Sequence, residues 1–168
     1  MAELTPAERL QPCLLDRLMD DEPRSKEESR EQRVVSLRQY HQGVLRDLHW
    51  LLNSSSHPPN DHLDEFPEVS RSVLNYGIQD LCGVTGSDLK AAEIQQQVLH
   101  ALQFFEPRIS RETLSVRVTT NPDSMDRNAV SFEIEGELWA LPIPERLYVK
   151  TNFDLETGQC EIEDHPGG

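Results

Sequence analysis

Apolar positions along the chain change their spacing once, near Pro107, from a helical period to strict alternation. Before that point Val34, Leu37, His41, Val44, Leu48 and Leu51 follow steps of three and four, and Val35, Leu45 and Leu52 widen the face. The spacing predicts an amphipathic helix from about Arg30 to Asn53, ended by the polar loop Asn53-Ser54-Ser55-Ser56-His57-Pro58-Pro59-Asn60. A second helix is expected from near Ser87 to Phe105, capped by Ser87 or Asp88. Its apolar face is Ala91, Ile94, Val98, Ala101, Leu102 and Phe105, and Pro107 stops it. Beyond it Leu114, Val116 and Val118 alternate with polar residues, as do Val130, Phe132, Ile134 and Leu138. A third strand carries Leu147, Val149, Thr151, Phe153 and Leu155, after a break at Pro142-Ile143-Pro144. Asp154-Leu155-Glu156-Thr157-Gly158 then reads as a turn into a short last strand with Cys160 and Ile162. Helices followed by consecutive strands predict an α+β fold, with an arm and two main helices on one face of a small antiparallel sheet.

The first 33 residues read as a docking arm and charged linker, and residues 34–168 as a single domain. Leu10, Leu14, Leu15 and Leu18 form a short apolar stripe confined by Pro12 and by Asp20-Asp21-Glu22-Pro23. A helix shorter than about 12 residues is marginal in water, so this stripe must dock on something. The expectation is that Leu14, Leu15 and Leu18 order on a partner. The run from Arg24 to Arg33 is almost wholly polar and reads as solvated linker or first helical turn.

Charge narrows the partners. With 16 basic and 30 acidic residues the formal net charge is −14, which argues against nucleic acid and anionic membrane surfaces. Protein partners fit better. Cys13, Cys82 and Cys160 show no CxxC spacing and are expected to be reduced thiols of a cytoplasmic protein. No signal-peptide pattern and no membrane-spanning apolar run is expected.

Catalytic signatures are lacking too. GxSxG, HExxH, Walker and GxGxxG patterns do not occur. Glu133, Glu135 and Glu137 alternate along one strand and fall on one face, where mutual repulsion suits solvent better than acid–base work. His41 and His49 lack a third ligand and read as ordinary histidines. The expectation is no enzyme activity, no cofactor, no metal and no small-molecule substrate.

Two segments carry a resemblance. Glu65-Phe66-Pro67-Glu68-Val69-Ser70-Arg71-Ser72-Val73-Leu74-Asn75-Tyr76-Gly77-Ile78-Gln79-Asp80-Leu81-Cys82-Gly83 and Phe104-Phe105-Glu106-Pro107-Arg108-Ile109 resemble the TssE family of type VI secretion baseplate wedge proteins, related to a wedge protein of contractile phage tails. The opening Gln11-Pro12-Cys13-Leu14-Leu15-Asp16-Arg17-Leu18 is similar to the same family, with Cys13 where Ser is usual, and so is the C-terminal hairpin. The resemblance implies a structural subunit that binds neighbours of the TssF, TssG and TssK kind and offers a platform for the contractile sheath. It also implies a role for Glu106, Pro107 and Arg108 in holding the wedge together. The residues themselves leave two readings of that motif. Glu106 and Arg108 either meet a partner, with the domain folding normally without them, or pair with each other to finish the helix. Asn75 and Tyr76 are likewise open, Tyr76 as a core residue before a left-handed Gly77 or both as interface residues. A regulatory adaptor of the same fold is the alternative function.

Overall fold

The computed structural model describes residues 10, 13–18, 35–58, 63–82, 91–119, 129–140 and 144–164. The charged linker, the Ser87 or Asp88 cap and most of the Pro142-Ile143-Pro144 break lie outside these residues. The helices are α1 (Leu14–Leu18), α2 (Leu37–Leu52), α3 (Pro67–Ser70) and α4 (Ala91–Phe105), with 3-10 turns at Leu63–Glu65 and Val73–Asn75. The strands are β1 (Ser115–Thr119), β2 (Ala129–Leu138), β3 (Glu145–Asp154) and β4 (Cys160–Asp164). The fold is α+β.

Helix α2 starts later than its periodicity predicts. Val35 and Ser36 are non-helical, because Ser36 caps the first turn through Oγ, which accepts from the Gln39 amide, while Gln39 reaches back to the Ser36 amide. Its later positions behave as expected, with Val44, Leu48, Leu51 and Leu52 buried. At the other end Asn53 closes the helix and also bridges to the sheet. Its side-chain amide donates to the Cys160 carbonyl at 3.0 Å, and its Oδ1 accepts from the Cys160 amide at 2.8 Å.

The four strands pair antiparallel in the order β1-β2-β3-β4. Register places Val116, Ile134 and Val149 side by side, and Val130, Phe153 and Cys160 in another row. These side chains join Val98, Leu102, Val44 and Leu48 in one core, so α2 and α4 cover a single face of the sheet. The other face carries Glu133 opposite Arg117 and Lys150, and Glu137 opposite Arg146. Opposite charges across neighbouring strands offset the repulsion among the glutamates. Burial in the core pushes the Cys160 thiol up to about 12, which leaves it un-ionised at neutral pH.

The segment before α4 is fixed at Gly77. Its φ is +119°, and a Cβ there would lie 2.1 Å from the Ser54 carbonyl oxygen. The close approach lets the Ile78 amide donate to Ser54 at 3.0 Å and the Ser56 amide donate to Ile78 at 2.9 Å. Only glycine permits both the dihedral and the contact.

Candidate functional site

Helix α4 delivers Glu106 to the protein interior. The Glu106 amide still donates to Leu102, completing the last turn, and Pro107 then ends the helix. Arg108 folds back over the turn. Its Nε donates to Glu106 Oε1 at 2.6 Å and its Nη2 to Glu106 Oε2 at 2.5 Å, a bidentate pair. The Arg108 amide adds a bond to Oε1 at 3.2 Å. Glu106 is 3% exposed, so these donors take the place of the water its carboxylate would otherwise meet.

Arg108 has a second carboxylate. Its Nη2 donates to Asp47 Oδ2 at 2.6 Å, from the facing side of α2. Asp47 Oδ1 in turn accepts from Arg46 Nε at 2.9 Å. Arg46 Nη1 reaches Asp16 Oδ1 of α1 at 2.5 Å, and its Nη2 lies 3.5 Å from Cys13 Sγ. Charges therefore alternate from Glu106 through Arg108, Asp47 and Arg46 to Asp16, joining the turn, α2 and the arm. Burial alone would lower the pKa of Arg108, but the bonds to Glu106 and Asp47 outweigh it and raise it well above the ordinary value. Arg46 is raised in the same way by Asp16 and Asp47.

Gly43 lies under this network. A Cβ there would sit 3.6 Å from Asp16 Oδ2 and 4.0 Å from Arg108 Nη1, so the two side chains close over bare backbone. Tyr40 and Tyr76 flank it. Burial raises both phenols, and each also feels the charges of Glu106 and Arg108.

The turn is bound to the sheet by its backbone. The Trp139 amide donates to the Arg108 carbonyl at 2.7 Å, and the Ser110 amide donates to Glu137 at 2.8 Å. The Trp139 carbonyl accepts from the Tyr40 hydroxyl at 2.9 Å. Trp139 is thus held on both sides while its side chain remains 70% exposed beside the motif. Pro107 is exposed as well.

The structure brings together only some of the residues singled out from sequence. Glu106 pairs with Arg108 inside the domain, and Arg108 also with Asp47, so a variant lacking one of these charges should be less stable. Leu14 and Leu18 are each 73% exposed and Leu15 is 36% exposed. The arm does not lack a seat on its own domain, because Asp16 and Cys13 meet Arg46 and Leu15 is largely covered, while Leu14 and Leu18 point outward. Tyr76 is half-buried and packs edge-on against Phe105, with ring centroids 5.3 Å apart. Asn75 splints its own loop, accepting from the His57 amide and donating to the Ser70 carbonyl, each at 3.0 Å. His41 Nε2 lies 3.3 Å from Asp164 Oδ1, and His49 Nδ1 lies 3.2 Å from the Asn53 amide nitrogen. Sequence reading missed Tyr40, Gly43, Arg46, Asp47 and Trp139. One signal was present, since Tyr40, Gly43 and Asp47 recur at helical spacing on the polar flank of the α2 stripe.

A sequence model of the family described as baseplate wedge protein gp25 matches residues 38–142. The chain belongs to that family. The match runs from α2 through the Glu-Pro-Arg turn to the end of β2 and Trp139. Its role is therefore that of a baseplate structural protein, working with other baseplate components. No curated protein and no solved structure matches the chain. Among the described residues no helix is long and apolar enough to cross a membrane.

Proposed function

We propose that this protein is a structural, non-catalytic wedge subunit of a type VI secretion baseplate, acting in the cytoplasm without cofactor, metal or small-molecule substrate. Its partners are wedge subunits of the TssF, TssG and TssK kind and the contractile sheath. The observation that carries the reading is the rigid turn, whose Glu106–Arg108 pair faces inward while Pro107 and Trp139 face solvent. With both backbone groups of Trp139 already bonded, a partner that covers it has only the side chain left to order. Glu106, Pro107 and Arg108 then act as one handle, with the charges shaping the turn and the exposed residues making contact. Leu14, Leu15 and Leu18 supply a second contact. Asn75 and Tyr76 contribute by holding the loop that backs the handle. A sheath strand adds to an outer edge of the sheet, at β1 or β4, by main-chain pairing.

The test is affinity capture of the tagged chain from its native cell, followed by mass spectrometry of what is retained. Sheath and several wedge subunits are expected, and Trp139→Ala should lose them while melting normally. Recovery of a single non-baseplate protein at one-to-one stoichiometry would move the reading to a regulatory adaptor.

A further inference from the structure

The outward leucines of the arm and the Glu-Pro-Arg turn come from distant parts of the chain, yet the same ion pairs hold them. Arg46 is the junction. It meets Asp16 and Cys13 of the arm on one side and Asp47 on the other, and Asp47 carries the contact on to Arg108. Its guanidinium carbon also lies 5.2 Å from the centre of the Trp50 ring, which is 47% exposed. A five-residue helix cannot hold itself together in water, so the placement of α1 rests on such contacts. Leu14 and Leu18 leave the polar side of α1 facing α2 and put their own side chains in solvent. We infer that Arg46 is a positioning residue, fixing the arm relative to the Glu-Pro-Arg turn so that one neighbouring baseplate subunit meets both as a single surface.

Three features of the geometry support this role over a general stabilising one. Arg46 is outside the apolar core, with its side chain 29% exposed, so its bonds organise the surface and do not fill the interior. Its planar fork addresses two carboxylates on different elements at once, which a lysine cannot reproduce. Gly43 puts no side chain between Asp16 and Arg108, whose tips lie 3.6 and 4.0 Å from where its Cβ would stand, so only a side chain longer than alanine's would push the arm from the turn. Partner docking on two patches held rigidly together avoids the ordering cost that a loose arm would add. The inference rests on the partner-binding reading above, because a positioned surface matters only if something binds it.

The experiment measures amide hydrogen exchange and partner capture on the full chain carrying Arg46→Met, Arg46→Lys or Gly43→Leu. Methionine keeps much of the stem that covers Trp50 and removes the charge. Leucine at Gly43 favours the helix, but its atoms beyond Cβ run into the Asp16 and Arg108 side chains. Both Arg46→Met and Gly43→Leu should raise exchange at those amides of Leu14–Leu18 that are hydrogen-bonded within α1 at least about tenfold, which corresponds to about 1.4 kcal/mol. Exchange at Val44–Leu52 should stay unchanged. Both should also recover fewer baseplate subunits, and Arg46→Lys should restore exchange protection and capture in part. Unchanged exchange in the arm would overturn the inference, whatever the partners do. A released arm with wild-type capture would overturn it too, since positioning would then be irrelevant to binding. If the wild-type chain captures no baseplate subunits, the partner-binding reading itself fails, and the exchange data still report whether Arg46 seats the arm.

Discussion

Replacing Arg108 by alanine leaves a carboxylate without its cation inside the protein. Glu106 is 3% exposed and takes two bonds from the Arg108 guanidinium and one from its amide. Water cannot replace those donors without opening the turn. Breaking a buried pair by removing one partner typically costs about 3–5 kcal/mol, because the remaining charge is uncompensated. For a chain of this size each kcal/mol shifts the melting midpoint by about 2–4 °C. The Arg108→Ala protein should therefore melt about 6–20 °C lower. Thermal denaturation followed by circular dichroism measures it directly. Changing both members, Glu106→Gln with Arg108→Met, should recover a large part of the loss, since no charge is then stranded. An Arg108→Ala midpoint within about 2 °C of wild type would refute the reasoning and return the pair to a surface role worth under about 1 kcal/mol. The same result bears on cell assays. Loss of sheaths in an Arg108→Ala strain would not separate a lost contact from an unfolded subunit, whereas Trp139→Ala does.

Further outcomes follow from the same geometry. Gly77→Ala should cost about 3 kcal/mol or more, because its Cβ would fall 2.1 Å from a backbone oxygen at φ +119°, and soluble yield and melting report it. Leu14→Asp with Leu18→Asp should change stability by no more than about 0.5 kcal/mol per site, since both are 73% exposed, but should abolish capture of baseplate subunits. For Asp16, burial alone would raise the carboxyl, but its contacts with Cys13 and Arg46 outweigh that and hold it below the usual 3.8. A depressed folded pKa stabilises the seated arm above 3.8, and that contribution is lost as pH falls through the lowered value. In a Trp139→Phe chain the Trp50 fluorescence should thus show a step below 3.8, and Asp16→Asn should remove that step.

The α+β fold was legible because burial imposes a local period. Val44, Leu48, Leu51, Ile94, Val98 and Leu102 sit at helical spacing, and Val130, Phe132 and Ile134 alternate, whatever the rest of the chain does. Helix ends were less legible. The capping box at Ser36 overrode a periodicity that ran on past it, because hydrogen-bonding chemistry at one residue stops a helix more sharply than an apolar pattern predicts. Glu106, Pro107 and Arg108 stood out in sequence, but both readings of the charged pair fitted. Their resolution needed Asp47 and Arg46 on another helix and Asp16 on the arm. A charge shows in sequence as a residue type, while its energy depends on the distance to partners far along the chain and on the water excluded between them. Sequence alone thus determined the two main helices, the four strands, their apolar faces and the family resemblance. Only the tertiary structure decided that the ion pair faces inward and that Pro107 and Trp139 are left in solvent.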